Sequence, residues 1–168
     1  MSGDIVVTVP ASVSAASPDP ALVEVLSAHR FDEIRLAAYL KGRLDGFDGT
    51  LTVRQFQGGQ SNPTFLLDTL AGKLVLRKKP PGVLLPSAHQ IEREFRVIMA
   101  LHGTGVPVPH PLLLCDDPGV IGAPFYVMRY VGGRIFDHPK ADAAAAHERG
   151  SLYAAMARTL ATLHKVDP

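Results

Sequence analysis

The stretch from residue 51 to residue 78 has the sequence LTVRQFQGGQSNPTFLLDTLAGKLVLRK, and it decides which fold we expect. Runs rich in leucine, valine, threonine and phenylalanine alternate in it with segments of glycine, asparagine and proline, which is typical of strands separated by turns. The predicted strands are Leu51–Gln57, Thr64–Thr69 and Leu74–Lys78, separated by the linker Gly58–Pro63 and the turn Ala71–Lys73.

A helix is predicted before these strands. Asp32 is suited to cap a helix that runs to about Leu44. Its apolar stripe at helical spacing consists of Leu36, Ala37, Leu40 and Leu44. The Asp-Gly pairs that follow predict its end.

A second helix is predicted after the three strands. Ser87 and Gln90 have the spacing of a capping box, which predicts a helix from Ser87 to His102, and Gly103 is suited to end it. Beyond this helix we predict a strand near Leu112, a strand over Pro124–Val131, and an alanine-rich helical tail.

The order of three strands, one helix and two strands predicts an α+β fold with a five-stranded antiparallel sheet and one main packed helix. Three segments are expected along the chain. Residues 1–28 form a loosely ordered leader, residues 29–133 a compact lobe, and residues 134–168 a helical segment.

The composition of the chain limits the classes of function that are compatible with it. The chain has 168 residues, of which 46% are hydrophobic and 20% charged, and a formal net charge of +1. This profile predicts one soluble domain or lobe in the cytoplasm, and it favours neither a nucleic-acid nor a membrane partner.

The single Cys115 lies in an apolar run and is interpreted as a buried structural thiol. The seven histidines show no metal-ligand spacing, so no metal site is predicted in this chain.

The glycine-rich linker is the first candidate for chemistry. Phosphates are often bound by backbone N–H groups, and the chain can approach them closely only where side chains are small. Gly58, Gly59, Ser61 and Asn62 suit this role. The alternative is a loop that needs glycine only for its conformation.

A strand cation and a helix carboxylate are the second and third candidates. In an alternating strand, Arg77 shares a face with Val75, whereas Lys78 lies on the opposite face. On the second helix, Glu94 falls inside the apolar stripe. The stripe consists of Ile91, Phe95, Ile98 and Leu101. Because a carboxylate on such a face needs a compensating cation, Arg77 is the candidate partner; the alternative is a glutamate that reaches water from the edge of the stripe.

The fourth candidate is the hydrophobic strand that ends in Gly132-Gly133. Such an end can expose backbone groups to a planar ligand, and the Arg129 carbonyl and the Val131 amide are suited to bind adenine. Taken by itself, this segment is also a plain core strand. The four candidates together occur in the order that a kinase nucleotide lobe requires.

With these motifs the sequence resembles the aminoglycoside phosphotransferase-like kinases, in the branch similar to the kinase-like domain of acyl-CoA dehydrogenase fusion proteins. The resemblance covers about Phe31 to Pro168. It rests on Gly58–Phe65, Val75–Gly82, Arg93–Arg96, Gly105–Pro109, Tyr126–Met128 and Gly132-Gly133.

The resemblance implies a protein-kinase-like N-lobe that binds ATP. Arg77 would stand where such kinases usually place a phosphate-binding lysine, with Glu94 as its ion-pair partner and Met128 behind the adenine. Arginine is larger than lysine and prefers two-pronged contacts, so the phosphate geometry must differ. The expected nucleotide-binding residues are Gly58, Gly59, Gln60, Ser61, Asn62, Arg77, Glu94, Met128, Arg129, Tyr130 and Val131.

The resemblance also implies parts that the 168 residues do not contain. The family's His-Gly-Asp catalytic loop and its later magnesium ligands normally follow the helix that ends here at Leu163–Pro168. We therefore expect the ATP-binding lobe of a small-molecule kinase, inactive alone, with the first helices of an incomplete C-lobe and no catalytic residue. The expected acceptor is a hydroxyl of a small metabolite, hydroxyacyl-type or aminoglycoside-like.

Two other functions remain open from the sequence. One is a non-catalytic nucleotide-binding or regulatory module, and the other is a binder of a different phosphate-bearing ligand such as a coenzyme A derivative. The last helix carries an apolar stripe with no later element to cover it. We expect this stripe, Leu152, Met156, Leu160 and Leu163, to mediate self-association or to bind a complementing chain.

Overall fold

The computed structural model describes residues 21–57, 62–82, 90–134, 136, 141 and 144–167. Within these ranges, six strands form one antiparallel sheet in the order β1-β2-β3-β4-β6-β5. The strands are β1 Leu22–Val23, β2 Leu51–Phe56, β3 Thr64–Thr69, β4 Gly72–Lys78, β5 Pro111–Cys115 and β6 Phe125–Arg129. The helices are α1 Glu33–Leu40, α2 Ile91–Leu101 and α3 Ala146–Leu163.

The hydrophobic core lies on one face of this sheet, between the sheet and α1. Side chains alternate between the two faces of a strand, so every second residue of β3, β4 and β6 points into the core. The core residues on the sheet are Phe65, Leu67, Leu74, Leu76, Cys115, Phe125 and Val127, and those on and after α1 include Leu36, Leu40, Leu44 and Phe47. Most of them are almost completely buried.

The first helix begins where the sequence predicts and ends earlier. Asp32 Oδ1 accepts a 2.9 Å hydrogen bond from the backbone N–H of Arg35, which confirms Asp32 as the N-cap. The prediction that the helix continues to Leu44 is wrong, because α1 ends at Leu40. Gly42 has a φ of 78°, which turns the chain out of the helix. Leu44 still reaches the core and is only 9% exposed.

The second helix packs on the other side of the sheet, against β5 and β6. Residues 83–89, and with them the predicted capping serine Ser87, lie outside the described residues. Gln90 occupies the N-cap position, but its side chain makes no capping hydrogen bond. The helix ends at Leu101, and Gly103 has a φ of 86°, so the predicted stop is confirmed.

The predicted count of five strands is wrong by one. Leu22 and Val23 lie within the predicted leader and pair with Phe56 and Gln55 of β2. Gln55 stabilises this edge of the sheet, because its Oε1 accepts a 3.1 Å hydrogen bond from the Leu26 N–H. A strand of two residues is too short to show alternation, which explains why the sequence pattern did not predict it.

The last strand also ends earlier than predicted, at Arg129 rather than Val131. Further along the chain, Arg134 forms an ion pair of 3.3 Å with Glu148 in the first turn of α3. None of the residues of α3 is buried. A search of the described residues finds no helix that is both long enough and apolar enough to span a membrane.

Candidate functional site

Arg77 lies on the face of β4 opposite to the core. Its partners in the neighbouring strands are Thr64 and Tyr126. The predicted alternation is confirmed, because Leu76 belongs to the core cluster and Lys78 is buried on the core side. Arg77 therefore faces α2, whereas Lys78 does not.

Arg77 and Glu94 form the ion pair that the sequence predicts. The Arg77 Nε atom lies 3.5 Å from Glu94 Oε2, and the two side chains are 30% and 34% exposed. Nε is itself buried and makes no hydrogen bond within the described part of the chain, so this contact is ionic. Partial burial strengthens the attraction, since water screens the two charges incompletely.

Two further side chains bind the same carboxylate. Asn62 Nδ2 donates a 2.7 Å hydrogen bond to Glu94 Oε1, and the Tyr126 hydroxyl donates one of 3.2 Å to Oε2. Glu94 thus has partners from the end of the linker, from β4 and from β6. This arrangement lies between the two alternatives left open by the sequence, a fully buried glutamate and one that simply reaches water. It fixes the orientation of the carboxylate beside Arg77.

Tyr126 is a site residue that the sequence-based interpretation did not assign. It is 1% exposed, and burial raises the pKa of its hydroxyl above the ordinary value, with Arg77 opposing the rise and Glu94 adding to it. The hydroxyl therefore stays protonated and acts as a donor. The register of β4 and β6, which pairs Arg77 with Tyr126, is the signal that would have identified it.

An open cleft of about 470 Å³ adjoins this cluster. It is lined by Arg77, Gln90, Arg93, Glu94, Val97, Ile98 and Tyr126. Two guanidinium groups and one carboxylate make the charge of the lining positive. Such a surface suits an anionic ligand, and guanidinium groups bind phosphate oxygens in two-pronged geometry.

The predicted adenine segment, Met128–Val131, begins in β6 and continues beyond its end. Met128 pairs with Val75, which places it on the same face as Arg77. The Tyr130 N–H donates a 3.2 Å hydrogen bond to the Lys73 carbonyl, whereas the Arg129 N–H donates to His110. Val131 is 66% exposed. In the described part of the chain, its N–H donates no backbone hydrogen bond.

Of the predicted phosphate loop, the structure describes Asn62. Gly58, Gly59, Gln60 and Ser61 lie outside the described residues, and their proposed role stays a prediction. Asn62, the next residue, is 2% exposed and directs its amide to Glu94. In the described part of the chain, the Asn62 side chain therefore binds the Glu94 carboxylate on α2.

Lys78 has a different environment from Arg77. It is 5% exposed, and its Nζ lies 5.3 Å from the centre of the Phe31 ring and 6.0 Å from that of Phe65. Burial lowers the pKa of this amine. Lys78 is thus a buried cation among aromatic rings, separated by the sheet from the Arg77 cluster.

Comparison with known proteins identifies the family to which this arrangement belongs. Residues 52–168 match the phosphotransferase enzyme family. The chain belongs to that family. Human acyl-CoA dehydrogenase family member 11 is 49% identical over 156 residues, covering 90% of the chain and 20% of the relative. Mouse acyl-CoA dehydrogenase family member 10 is 48% identical over 133 residues, covering 79% of the chain and 12% of the relative.

A solved structure of this phosphotransferase family has the same fold. It is the crystal structure of a protein assigned as an aminoglycoside phosphotransferase, from Ralstonia eutropha. It superimposes with a TM-score of 0.69 at 43% sequence identity, covering 82% of our chain and 39% of that protein. The resemblance inferred from the motifs and the kinase-like N-lobe are thereby confirmed. The chain spans about a fifth of the length of the human relative.

Proposed function

We propose that this phosphotransferase-family chain binds ATP, with its phosphates at Arg77, and supplies the nucleotide-binding lobe of a small-molecule kinase. The observation that carries the proposal is the Arg77–Glu94 ion pair beside an open, positively charged cleft. Within the described residues, this ion pair is the only polar contact of the Arg77 side chain. The guanidinium therefore has donor capacity left for an anion.

Glu94 acts in this proposal as a positioning residue. A long arginine side chain loses conformational freedom when it binds a ligand, and this loss is smaller if the side chain is already held. The carboxylate of Glu94 holds the guanidinium from the side of α2, while Asn62 and Tyr126 hold the carboxylate. The phosphates then meet a cation of fixed position, which is what phosphoryl transfer requires from the protein.

The adenine end of the nucleotide is assigned to Met128–Val131. Met128 is on the face of Arg77 and Val131 is 66% exposed, so a planar base could contact both the Met128 side chain and the Val131 amide. ATP supplies the γ-phosphoryl group for transfer. No three His, Cys, Asp or Glu side chains among the described residues are grouped to hold a metal, so we assign no magnesium ligand there.

The acceptor of the phosphoryl group is proposed to be a hydroxyl on a small metabolite. The relatives named acyl-CoA dehydrogenases support a hydroxyacyl-type compound, and the Ralstonia protein supports an aminoglycoside-like one. The 168 residues contain no His-Gly-Asp segment. We therefore propose that the chain binds nucleotide without transferring phosphate by itself, since no base is in place to align an acceptor.

Calorimetric titration with magnesium-ATP tests this function. We expect the wild type to bind, and Arg77→Ala to reduce the affinity at least about tenfold, because a charge-assisted contact to phosphate is lost. The matched control is Lys79→Ala, since Lys79 is a neighbouring cation already paired with Glu92 at 2.8 Å. Equal affinities of the wild type and Arg77→Ala would remove Arg77 from the site.

A second measurement distinguishes the proposed kinase lobe from the alternative, a non-catalytic nucleotide-binding module. The wild type is mixed with the remainder of a homologous phosphotransferase that carries the His-Gly-Asp segment, and transfer of labelled phosphate to a hydroxyl acceptor is followed. Restored transfer supports a kinase lobe. Binding of ATP without transfer in any such mixture supports the module.

A further inference from the structure

Residues 21–29, which we call the edge strap, lie along the outer edge of β2. The strap contains β1, which pairs with the end of β2. At its start, the Ala21 carbonyl accepts a 2.8 Å hydrogen bond from the Gln57 N–H. The next carbonyl, that of Leu22, accepts one of 3.0 Å from Arg54 Nη2. The strap ends in a single 3₁₀ turn, Ser27–His29.

Gln55 is the side chain that binds the end of the strap to the sheet. It pairs with the core residue Phe65, so it lies on the face of the sheet opposite to Arg77. Its side chain is nearly buried, since the residue is 6% exposed. Its Oε1 accepts the 3.1 Å hydrogen bond from the Leu26 N–H, and its Nε2 lies 2.9 Å from Nδ1 of His29. Both ends of this amide are therefore used by the strap.

The protonation state of His29 follows from these two contacts. A backbone N–H can only donate, so the amide oxygen of Gln55 must face Leu26. The amide nitrogen then faces His29, and because it is a donor, Nδ1 of the imidazole must accept. An imidazole nitrogen accepts only when it carries no proton. His29 is therefore neutral in this arrangement, with its proton on Nε2.

We propose that the edge strap is a proton-sensitive element, bound to β2 while His29 is neutral and released when His29 is protonated. Protonation places an N–H on Nδ1, which then points at the N–H groups of the Gln55 amide. Turning the amide over does not restore the contacts, since its nitrogen would then face the Leu26 N–H. In either orientation, a nearly buried amide loses one hydrogen bond.

The charged groups around His29 do not compensate for an added proton. Asp32 Oδ1 already accepts the Arg35 N–H, and the Lys78 Nζ, 5.3 Å from the centre of the Phe31 ring, adds a positive charge on the same side of the sheet. Over its full described length, β3 carries no ionisable side chain on this face. None of the ion pairs in the described part of the chain includes His29. The other charged side chains on the strap and the elements next to it are Glu24, Arg30, Glu33 and Arg54.

The sign of the pH effect follows from proton binding. The released strap leaves Nδ1 open to a proton and the bound strap does not, so release is coupled to proton uptake. Histidine side chains take up this proton as the pH falls through about 6.5. The strap should therefore be bound above this pH and loosen below it.

Hydrogen exchange of the Gln57 backbone amide measures the release, because this N–H donates to Ala21 of the strap. We expect its protection factor, which corrects for the intrinsic pH dependence of exchange, to be about fivefold lower at pH 5.5 than at pH 7.5, as the loss of one hydrogen bond implies. The amides of the central strand β4 are the internal control and should keep their protection. An equal protection factor of Gln57 at the two pH values would overturn the proposal.

Two variants assign the effect to the contact between His29 and Gln55. His29→Asn places an amide oxygen near the position of Nδ1, and this oxygen accepts at either pH, so the protection of Gln57 should no longer depend on pH. Gln55→Glu provides a carboxylate that accepts from both the Leu26 N–H and a protonated His29, so the protection should rise in acid. Unchanged exchange of β4 shows that each variant is folded. A fall in acid as large as that of the wild type, in either variant, would show that another group titrates and would contradict the role of His29.

Discussion

The side-chain amide of Asn62 donates a 2.7 Å hydrogen bond to Oε1 of Glu94 and so connects the end of the glycine-rich linker to α2. The two residues are 32 positions apart in the chain, and Asn62 is 2% exposed. The same carboxylate faces Arg77 at 3.5 Å. The linker, the helix and the strand cation are therefore held by one shared group.

Replacing Asn62 tests this connection. Asn62→Ala leaves one oxygen of Glu94 without its donor, which should lower the free energy of unfolding by about 1–2 kcal/mol. Asn62→Asp should cost more, because it places a second carboxylate against that of Glu94. Urea unfolding at pH 7 measures both. Equal stability of Asn62→Asp and the wild type at pH 7 would show that the bond is not formed.

The hydrogen bond from the Tyr126 hydroxyl allows a second test of how the Glu94 carboxylate is held. Tyr126→Phe removes the donor to Glu94 Oε2 while the buried ring is kept, so we expect a loss of about 1 kcal/mol in the free energy of unfolding. Affinity for magnesium-ATP should also fall, because Glu94 is less firmly oriented. A Tyr126→Phe variant as stable as the wild type would assign the hydroxyl no structural role.

The burial of Lys78 predicts a specific pH dependence of the free energy of unfolding. Burial lowers its pKa in the folded state below the ordinary value of 10.5. Between these two pKa values the unfolded chain binds more protons than the folded chain, so the contribution of Lys78 to stability rises with pH up to about 10.5 and is lowest below the folded pKa.

Lys78→Met is the variant that tests this dependence. Since methionine removes the buried cation, the variant should be more stable than the wild type at pH 7, and the difference should shrink as pH approaches 10.5. Thermal unfolding from pH 7 to pH 10.5 measures it, with Lys79→Met as the ion-paired control. A difference that is constant across this range would contradict the lowered pKa.

The apolar side chains of α3 predict association of the purified chain. Met156, Leu160 and Leu163 are 58%, 53% and 40% exposed. In a solution of this chain alone, a second copy is the available cover, so we expect the sedimentation coefficient to rise with concentration. Met156→Gln combined with Leu160→Gln should abolish the rise without loss of helix. A monomer at all concentrations in the wild type would show that α3 does not mediate self-association.

The sheet and the faces of its strands could be predicted from the sequence because both follow from local alternation. That pattern placed Arg77 and Lys78 on opposite faces and put Arg77 opposite Glu94, and the structure agrees. The two-residue strand at Leu22 was missed because no periodicity can be seen over two residues. The early end of α1 was not predicted because it depends on the left-handed backbone conformation of one residue, Gly42. The spacing of apolar residues carries no information about that conformation.

The partners of Glu94 show where sequence reasoning stops. An ion pair between a strand and a helix can be inferred from charges and burial, but the donors Asn62 and Tyr126 depend on the register between strands that are distant in the chain. Long-range register is set by the packing of the whole lobe.

The most direct measurement is the nuclear magnetic resonance signal of the Arg77 Nε–H group during titration with magnesium-ATP, assigned through its disappearance in Arg77→Lys. This Nε is buried next to Glu94, which should protect its proton from exchange with water. We expect the signal to shift in step with nucleotide binding and to shift likewise with inorganic tripolyphosphate. A signal that stays in place while calorimetry shows ATP bound would put the phosphates elsewhere and contradict the proposed function of Arg77.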